Sequence, residues 1–205
     1  WSRQWETKLT EYWQAPPRLG IWLSWRYGAR GKQFLECAAG SCSDSIFLAS
    51  RGEAVTACDF DEQTLRRVAC EQVRGLRVQK EDSFALSFVD DSFDLVYHNG
   101  FWVCFEDDES IMALLEEQMR VSRYLALAIV HNEENARLKA AFADRSTDDD
   151  LYAIRFFGRD EISALLDRAG VSRSRVRFLK FGGPVDRIFL VARRLPFLRG
   201  VANFM

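Results

Sequence analysis

Between residues 33 and 131 the chain alternates short apolar runs with amphipathic stretches, and that rhythm leaves it few ways to fold. The apolar runs at 33–37, 54–59, 77–81, 93–98 and 124–131 have strand length, and helical spacing occupies 43–51, 61–72, 108–121 and, further on, 159–169, where Gly170 is a stop signal. Strand and helix in strict alternation predict a parallel sheet with helices on both faces. Two more apolar runs, 175–180 and 185–192, break the rule. Only Phe181-Gly182-Gly183-Pro184 separates them, too short for a parallel crossover, so they are expected to form an antiparallel hairpin. The one long irregular stretch is 132–158.

Length and composition fit a single domain over 1–205, with 48% apolar and 28% charged residues. The longest apolar stretch, 125–130, is far too short to cross a bilayer, and the residues from Trp1 onward show no charged-then-apolar signal-peptide pattern, so no membrane partner is expected. Cysteines at 37, 42, 58, 70 and 104 form an odd set without a CxxC pair, which reads as free thiols in a reducing cytoplasm. With only His98 and His131 as histidines, no metal signature appears. The net charge of −2 hides a split: the segment 171–205 carries eight basic residues and one acid, which leaves the first 170 residues nine charges negative. Solvated arginines on the terminal hairpin explain that surplus; a basic surface for an acidic partner is the other reading, and a nucleic-acid substrate is not expected.

Five of the six tryptophans lie in the first 27 residues. Trp1, Trp5, Leu9, Tyr12 and Trp13 share one helical face, Pro16 and Pro17 stop that helix, and a second helix is expected at 19–27, so that 1–30 form an aromatic cap. The aromatics either pack the cap onto the body or, Tyr12 and Trp13 first, line a small-molecule pocket.

In an open α/β sheet the ligand lies beyond the carboxyl ends of the strands, where strand order reverses. The first strand runs into LECAAGSCSDS (35–45), in which Glu36 is followed by the small residues Ala38, Ala39, Gly40 and Ser41 and then by a helix start. Small side chains there let a backbone turn approach a ligand closely. The second strand ends on Asp59, nineteen residues past Gly40, where a carboxylate can accept from two ribose hydroxyls. The third brings Asp82 and Ser83 to the same edge, suited to an exocyclic amine.

These three blocks resemble the class I S-adenosylmethionine-dependent methyltransferases of the small-molecule, type 11-like kind, over roughly 33–191. LECAAGSC (35–42) is similar to the glycine-rich first motif, VTACDFDEQTL (55–65) to the ribose-binding strand, and EDSFALSFVDDSFDLVYHNGFW (81–102) to the adenine-side motif joined to the fourth strand. The resemblance implies a Rossmann-like, doubly wound α-β-α sandwich whose seven-stranded sheet is mostly parallel with an antiparallel last strand. It implies S-adenosyl-L-methionine as cofactor: Glu36 at the methionine ammonium, Ala38, Ala39 and Gly40 around the methionine end, Asp59 on the ribose with Phe60 against the adenine, Asp82, Ser83 and Phe84 at the adenine rim, and Asn99 beside the sulfonium.

Two departures stand out. Cys42 replaces the last glycine of the loop, and Val103 and Cys104 occupy positions where many relatives carry a histidine pair. His98 and His131, at the ends of the fourth and fifth strands, are the candidate catalytic residues, each otherwise a hydrogen-bonded strand-end side chain. The function expected is in-line methyl transfer to a small molecule, with Tyr12, Trp13 and Trp102 as pocket walls and 132–158 as a lid. A non-catalytic binding module, favoured by Cys42, Val103 and Cys104, is the alternative, and a nicotinamide-dependent oxidoreductase a more distant one.

Overall fold

Five parallel strands hydrogen-bond in the order β3-β2-β1-β4-β5. In chain order they are β1 (Gln33–Glu36), β2 (Ala54–Asp59), β3 (Leu76–Lys80), β4 (Phe93–Asn99) and β5 (Ser122–Ile129). The computed structural model describes residues 9, 10, 12–28, 31–69, 73–146 and 152–182. The helices are α1 (Arg18–Tyr27), α2 (Ser43–Ser50), α3 (Glu62–Ala69), α4 (Asp108–Val121), α5 (Ala136–Ser146) and α6 (Arg159–Arg168), with 3₁₀ turns at Trp102–Cys104 and Arg173–Arg175. The chain winds outward from β1 to β3, returns, and winds the other way through β4 and β5, so order reverses between β1 and β4. Those two strands pair in register, Phe34 with Leu95 and Glu36 with Tyr97.

Alternation along the strands divides the core. Phe34, Val55, Leu95 and Tyr97 meet Leu19 and Leu23 of α1 and Leu48 and Ala49 of α2 on one face, where Ala57 also meets Leu65 and Val68 of α3. On the other face Leu35 and Val96 pack with Phe93 and Val121, and Ile111 and Leu114 of α4 pack with Leu165 of α6 and Trp102. Each such side chain contributes about 1.5–3 kcal/mol when taken fully out of water. A register shift between Phe93 and Leu95 puts Phe93 on the face of Val96. Asp107 starts α4 by accepting from the Ser110 backbone N–H at 2.7 Å.

The α/β architecture and the parallel sheet follow the sequence expectation, while the sixth and seventh strands do not enter the described sheet. Arg175 closes a 3₁₀ turn and residues 176–180 are irregular, with all but Val176 exposed; the partner run 185–192 lies outside the described residues. Alternating hydropathy in VRFLK marks which side chains share a face, but a ladder also needs a neighbouring backbone. The stretch 132–158 differs as well, since it contains α5, a helix with no buried residue. Arg155 fixes its far end, donating to Glu106 O at 2.8 Å, Asp108 Oδ1 at 2.7 Å and Glu161 Oε1 while lying 4.9 Å above the Phe157 ring. Among the described residues no helix is long and apolar enough to cross a membrane.

Candidate functional site

The reversal between β1 and β4 opens the sheet's carboxyl edge, and the loop after β1 turns sharply there. Ala38, Gly40 and Cys42 all adopt left-handed backbone conformations, with φ of 50°, 48° and 53°. A side chain in that region costs roughly 1–2 kcal/mol, and backbone strain of this kind concentrates at ligand sites. Cys42 therefore follows the backbone path a glycine would take. Its buried thiol packs with Ala39, Ala57, Leu65 and Val68, and burial pushes its pKa up, so it acts as a core side chain.

Asp59, at the end of β2, binds this loop across the sheet. Its Oδ2 accepts from Gly40 N–H at 2.8 Å and its Oδ1 from Asp61 N–H at 2.9 Å. A carboxylate offers about four lone-pair positions, and with a third bond, from Phe60 N–H, about one remains. Burial raises the Asp59 pKa, and the amides of Asp61 and Gly40 oppose that rise. Beside it Phe60 is 70% exposed, with the Lys80 ammonium 5.3 Å from its ring centre. Across the edge Asp82 accepts from Phe84 N–H at 2.9 Å, a turn that leaves Phe84 40% exposed and Ser83 buried. Glu81, which the sequence did not single out, holds this turn by accepting from the Ser87 backbone N–H at 2.9 Å and hydroxyl at 2.6 Å.

Glu36 is buried at the end of β1. Its Oε2 accepts from Ser45 N–H at 3.2 Å, from the Ser45 hydroxyl at 2.5 Å and from the Tyr97 hydroxyl at 3.2 Å. Burial first, and then the Asp44 carboxylate, push its pKa up to about 8. Asp44 and Tyr97 were invisible as site residues in sequence. An acid in a helix's first turn ordinarily reads as a partner of its own helix dipole, and a tyrosine inside an apolar strand as core. Asn99, at the end of β4, donates to Asp44 at 3.0 Å. Trp13 reaches the loop from the cap, its indole donating to Ser41 O at 2.8 Å, while Tyr12 is exposed.

The two histidines diverge. His98 is fully buried beneath the turn after β4. Its Nδ1 accepts from Phe101 N–H at 3.1 Å, which makes Nε2 the protonated nitrogen of the neutral ring, and burial lowers its pKa to about 3. Its ring lies 5.1 Å from that of Trp102, itself buried with Ile111, Leu114 and Phe157. Sequence placed His98 at a strand end and Trp102 on the pocket wall, but the side of the sheet they occupy carries α4 and α6, which bury them both. His131 is half-buried against Phe142 and Phe156, at 4.9 and 5.5 Å, with Nδ1 unpartnered among the described residues and its pKa lowered by burial. Tyr152 extends that aromatic group, 5.2 Å from Phe142. Among the described residues no cluster of His, Cys, Asp and Glu is placed to hold a metal ion.

Comparison with known proteins agrees with this geometry. Residues 34–124 match a family described as a methyltransferase domain. A methyltransferase dependent on S-adenosylmethionine from Methanosarcina mazei is 22% identical, with a TM-score of 0.56 over 69% of this chain and 80% of that one. One from Thermotoga maritima, described as a possible histamine N-methyltransferase, is 20% identical, with a TM-score of 0.58 over 82% and 77%. One from Aquifex aeolicus is 18% identical, with a TM-score of 0.56 over 80% and 87%. No curated protein sequence matches the chain. At these identities the solved structures establish the shared fold.

Proposed function

We propose that this chain, whose residues 34–124 match a methyltransferase domain, is a class I S-adenosylmethionine-dependent methyltransferase, and that the whole of 1–205 acts as one domain, in the cytoplasm, methylating a small molecule. The observation that carries the reading is the Asp59–Gly40 hydrogen bond, which joins the acid ending β2 to the strained loop after β1 and sets both at the strand reversal.

The residues present fit the cofactor. Asp59 keeps an open lone-pair position for a ribose hydroxyl, the exposed faces of Phe60 and Phe84 suit the flat apolar adenine, and Asp82 and Ser83 are assigned to its rim. Among the described residues Glu36 Oε1 has no partner, which suits it to the methionine amine, and Ala38, Ala39, Gly40 and Asn99 are assigned to the methionine end. S-adenosylmethionine supplies, when bound, a methyl group on a sulfonium sulfur that an acceptor's lone pair displaces in line.

What the chain contributes is alignment and exclusion of water. Holding two reactants in attacking geometry is worth up to about 7–11 kcal/mol, and a base adds to that only where the acceptor must lose a proton. Val103 and Cys104 supply no base, and an amine or thiol acceptor needs little help. Each histidine has one ring nitrogen without a partner among the described residues, but His98 is fully buried and supports the turn that carries Trp102, so the half-buried His131 is assigned proton transfer. The aromatic group of His131, Phe142, Tyr152 and Phe156, with Tyr12 and Trp13 from the cap, suits an acceptor with apolar surface. Incubation with methyl-labelled S-adenosylmethionine and a cell extract tests the reading. Label should enter the low-molecular-weight fraction, whereas label confined to protein or nucleic acid would contradict it.

A further inference from the structure

Asp44 is buried at the start of α2, and it joins three parts of the molecule that are distant in sequence. Its Oδ1 accepts from Gly20 N–H at 2.7 Å, the Leu19 N–H adds a second bond from the same helical turn, and its Oδ2 accepts from Asn99 Nδ2 at 3.0 Å. Pro17, at the head of α1, offers no capping side chain, so Asp44 satisfies from outside the amides that a capping residue would otherwise take.

The neighbouring carboxyl is Glu36. All three of its donors converge on Oε2, which leaves Oε1 without a partner among the described residues, and Glu36 is only 3% exposed. The groups that face it are Asp44 from α2, the Tyr97 hydroxyl from β4, and the Cys42 thiol, which also feels Asp59 of β2; α1 contributes only backbone amides through Asp44. Among the described residues no lysine, arginine or histidine pairs with either carboxyl. Two adjacent buried carboxyls without a counter-cation do not both ionise cheaply.

We propose that Asp44 is a positioning residue of the cofactor site, that Asp44 and Glu36 retain one proton in the free protein, held at Glu36, and that a cationic amine docking at Glu36 Oε1 releases that proton to solvent. The inference rests on the cofactor reading. The exchange balances: a neutral carboxylic acid and an ammonium become a carboxylate–ammonium pair and a solvated proton. The asymmetry between the two acids is geometric, because Asp44 spends both oxygens on donors from α1 and β4 while Glu36 has a free oxygen to carry hydrogen. Burial and the Asp44 charge raise the Glu36 pKa to about 8, in the same direction. Binding favours the ionised form, so affinity rises with pH toward that value, and Glu36 adds no further rise above it.

Calorimetric titration with S-adenosylhomocysteine, which keeps the amine and lacks the sulfonium charge, tests this in buffers of different ionisation enthalpy. Near about pH 6.5 the full chain should release about one proton per ligand, a release that shrinks as pH rises past about 8. Glu36→Gln should abolish the release. Asp44→Asn, which keeps an acceptor for Gly20, should reduce it at the same pH; a merely structural Asp44 would change the melting temperature and leave the proton count alone. Zero release by the wild type near that pH, or undiminished release by Glu36→Gln, would overturn the proposal. Infrared spectra of the ligand-free chain separate the two readings. A protonated-carboxyl band missing in Glu36→Gln supports the proton's placement even if nothing binds, in which case the cofactor reading falls. Binding without that band leaves the cofactor reading standing and sinks the proton exchange.

Discussion

Asp59→Ala should weaken S-adenosylmethionine binding by about 10- to 100-fold, the loss expected from about 1.5–3 kcal/mol of charge-assisted hydrogen bonding. Two effects add. The ribose diol loses its acceptor, and Gly40 N–H loses the oxygen that sets the loop's position. Asp59→Asn separates them, because the amide oxygen still accepts from Gly40 while the negative charge is gone. It should fall between wild type and Asp59→Ala in affinity, with a melting temperature close to wild type. Equal affinity in all three proteins would remove Asp59 from the cofactor site.

Gly20→Ala should cost about 1–3 kcal/mol of unfolding stability, read as a lower urea midpoint with an unchanged slope. A β-carbon at position 20 would stand 2.7 Å from the Asp44 carbonyl oxygen and 3.0 Å from its Cα. Those are backbone atoms at the crossing of α1 and α2, so no side chain can rotate away. Alanine gains roughly 1 kcal/mol over glycine in helix propensity, which the overlap outweighs because α1 must move off α2 and strain the Gly20–Asp44 bond. A midpoint equal to or above wild type would show that the crossing has slack.

Where local chemistry and packing agree, sequence and structure agree. The bounds 54–59 for β2 and 108–121 for α4 coincide in both, the first an apolar run ended by Asp59, the second a helix opened by the Asp107 cap. The carboxyl-end positions of Glu36, Gly40, Asp59 and Asp82 were legible from the alternation of strands and helices, and that of Asn99 from the family resemblance. Helix α5 was not, because Leu138 and Phe142 mark too short an apolar face, and what makes the segment helical is the propensity of its alanines, lysine and arginines. Nor could sequence show that Asp44 caps a helix 24 positions upstream, or that His98 turns toward α4 and α6. Those facts depend on which surfaces meet, and strand alternation fixes a residue's face without naming what covers it.

The cap illustrates the same limit more favourably. Aromatic spacing singled out Trp13, whose indole binds Ser41 O in the glycine-rich loop. Periodicity identified a residue that packs, and only three-dimensional placement shows that it packs over the loop after β1.

The central claim is that the strained loop after β1, Asp59 and the exposed rings of Phe60 and Phe84 together form a cofactor site. Calorimetric titration of the chain with S-adenosylmethionine addresses it most directly. Saturable binding at one site per chain, competed by S-adenosylhomocysteine, is the predicted result; no heat of binding at ligand concentrations of about 1 mM, where even an affinity worth about 4 kcal/mol registers, would contradict it.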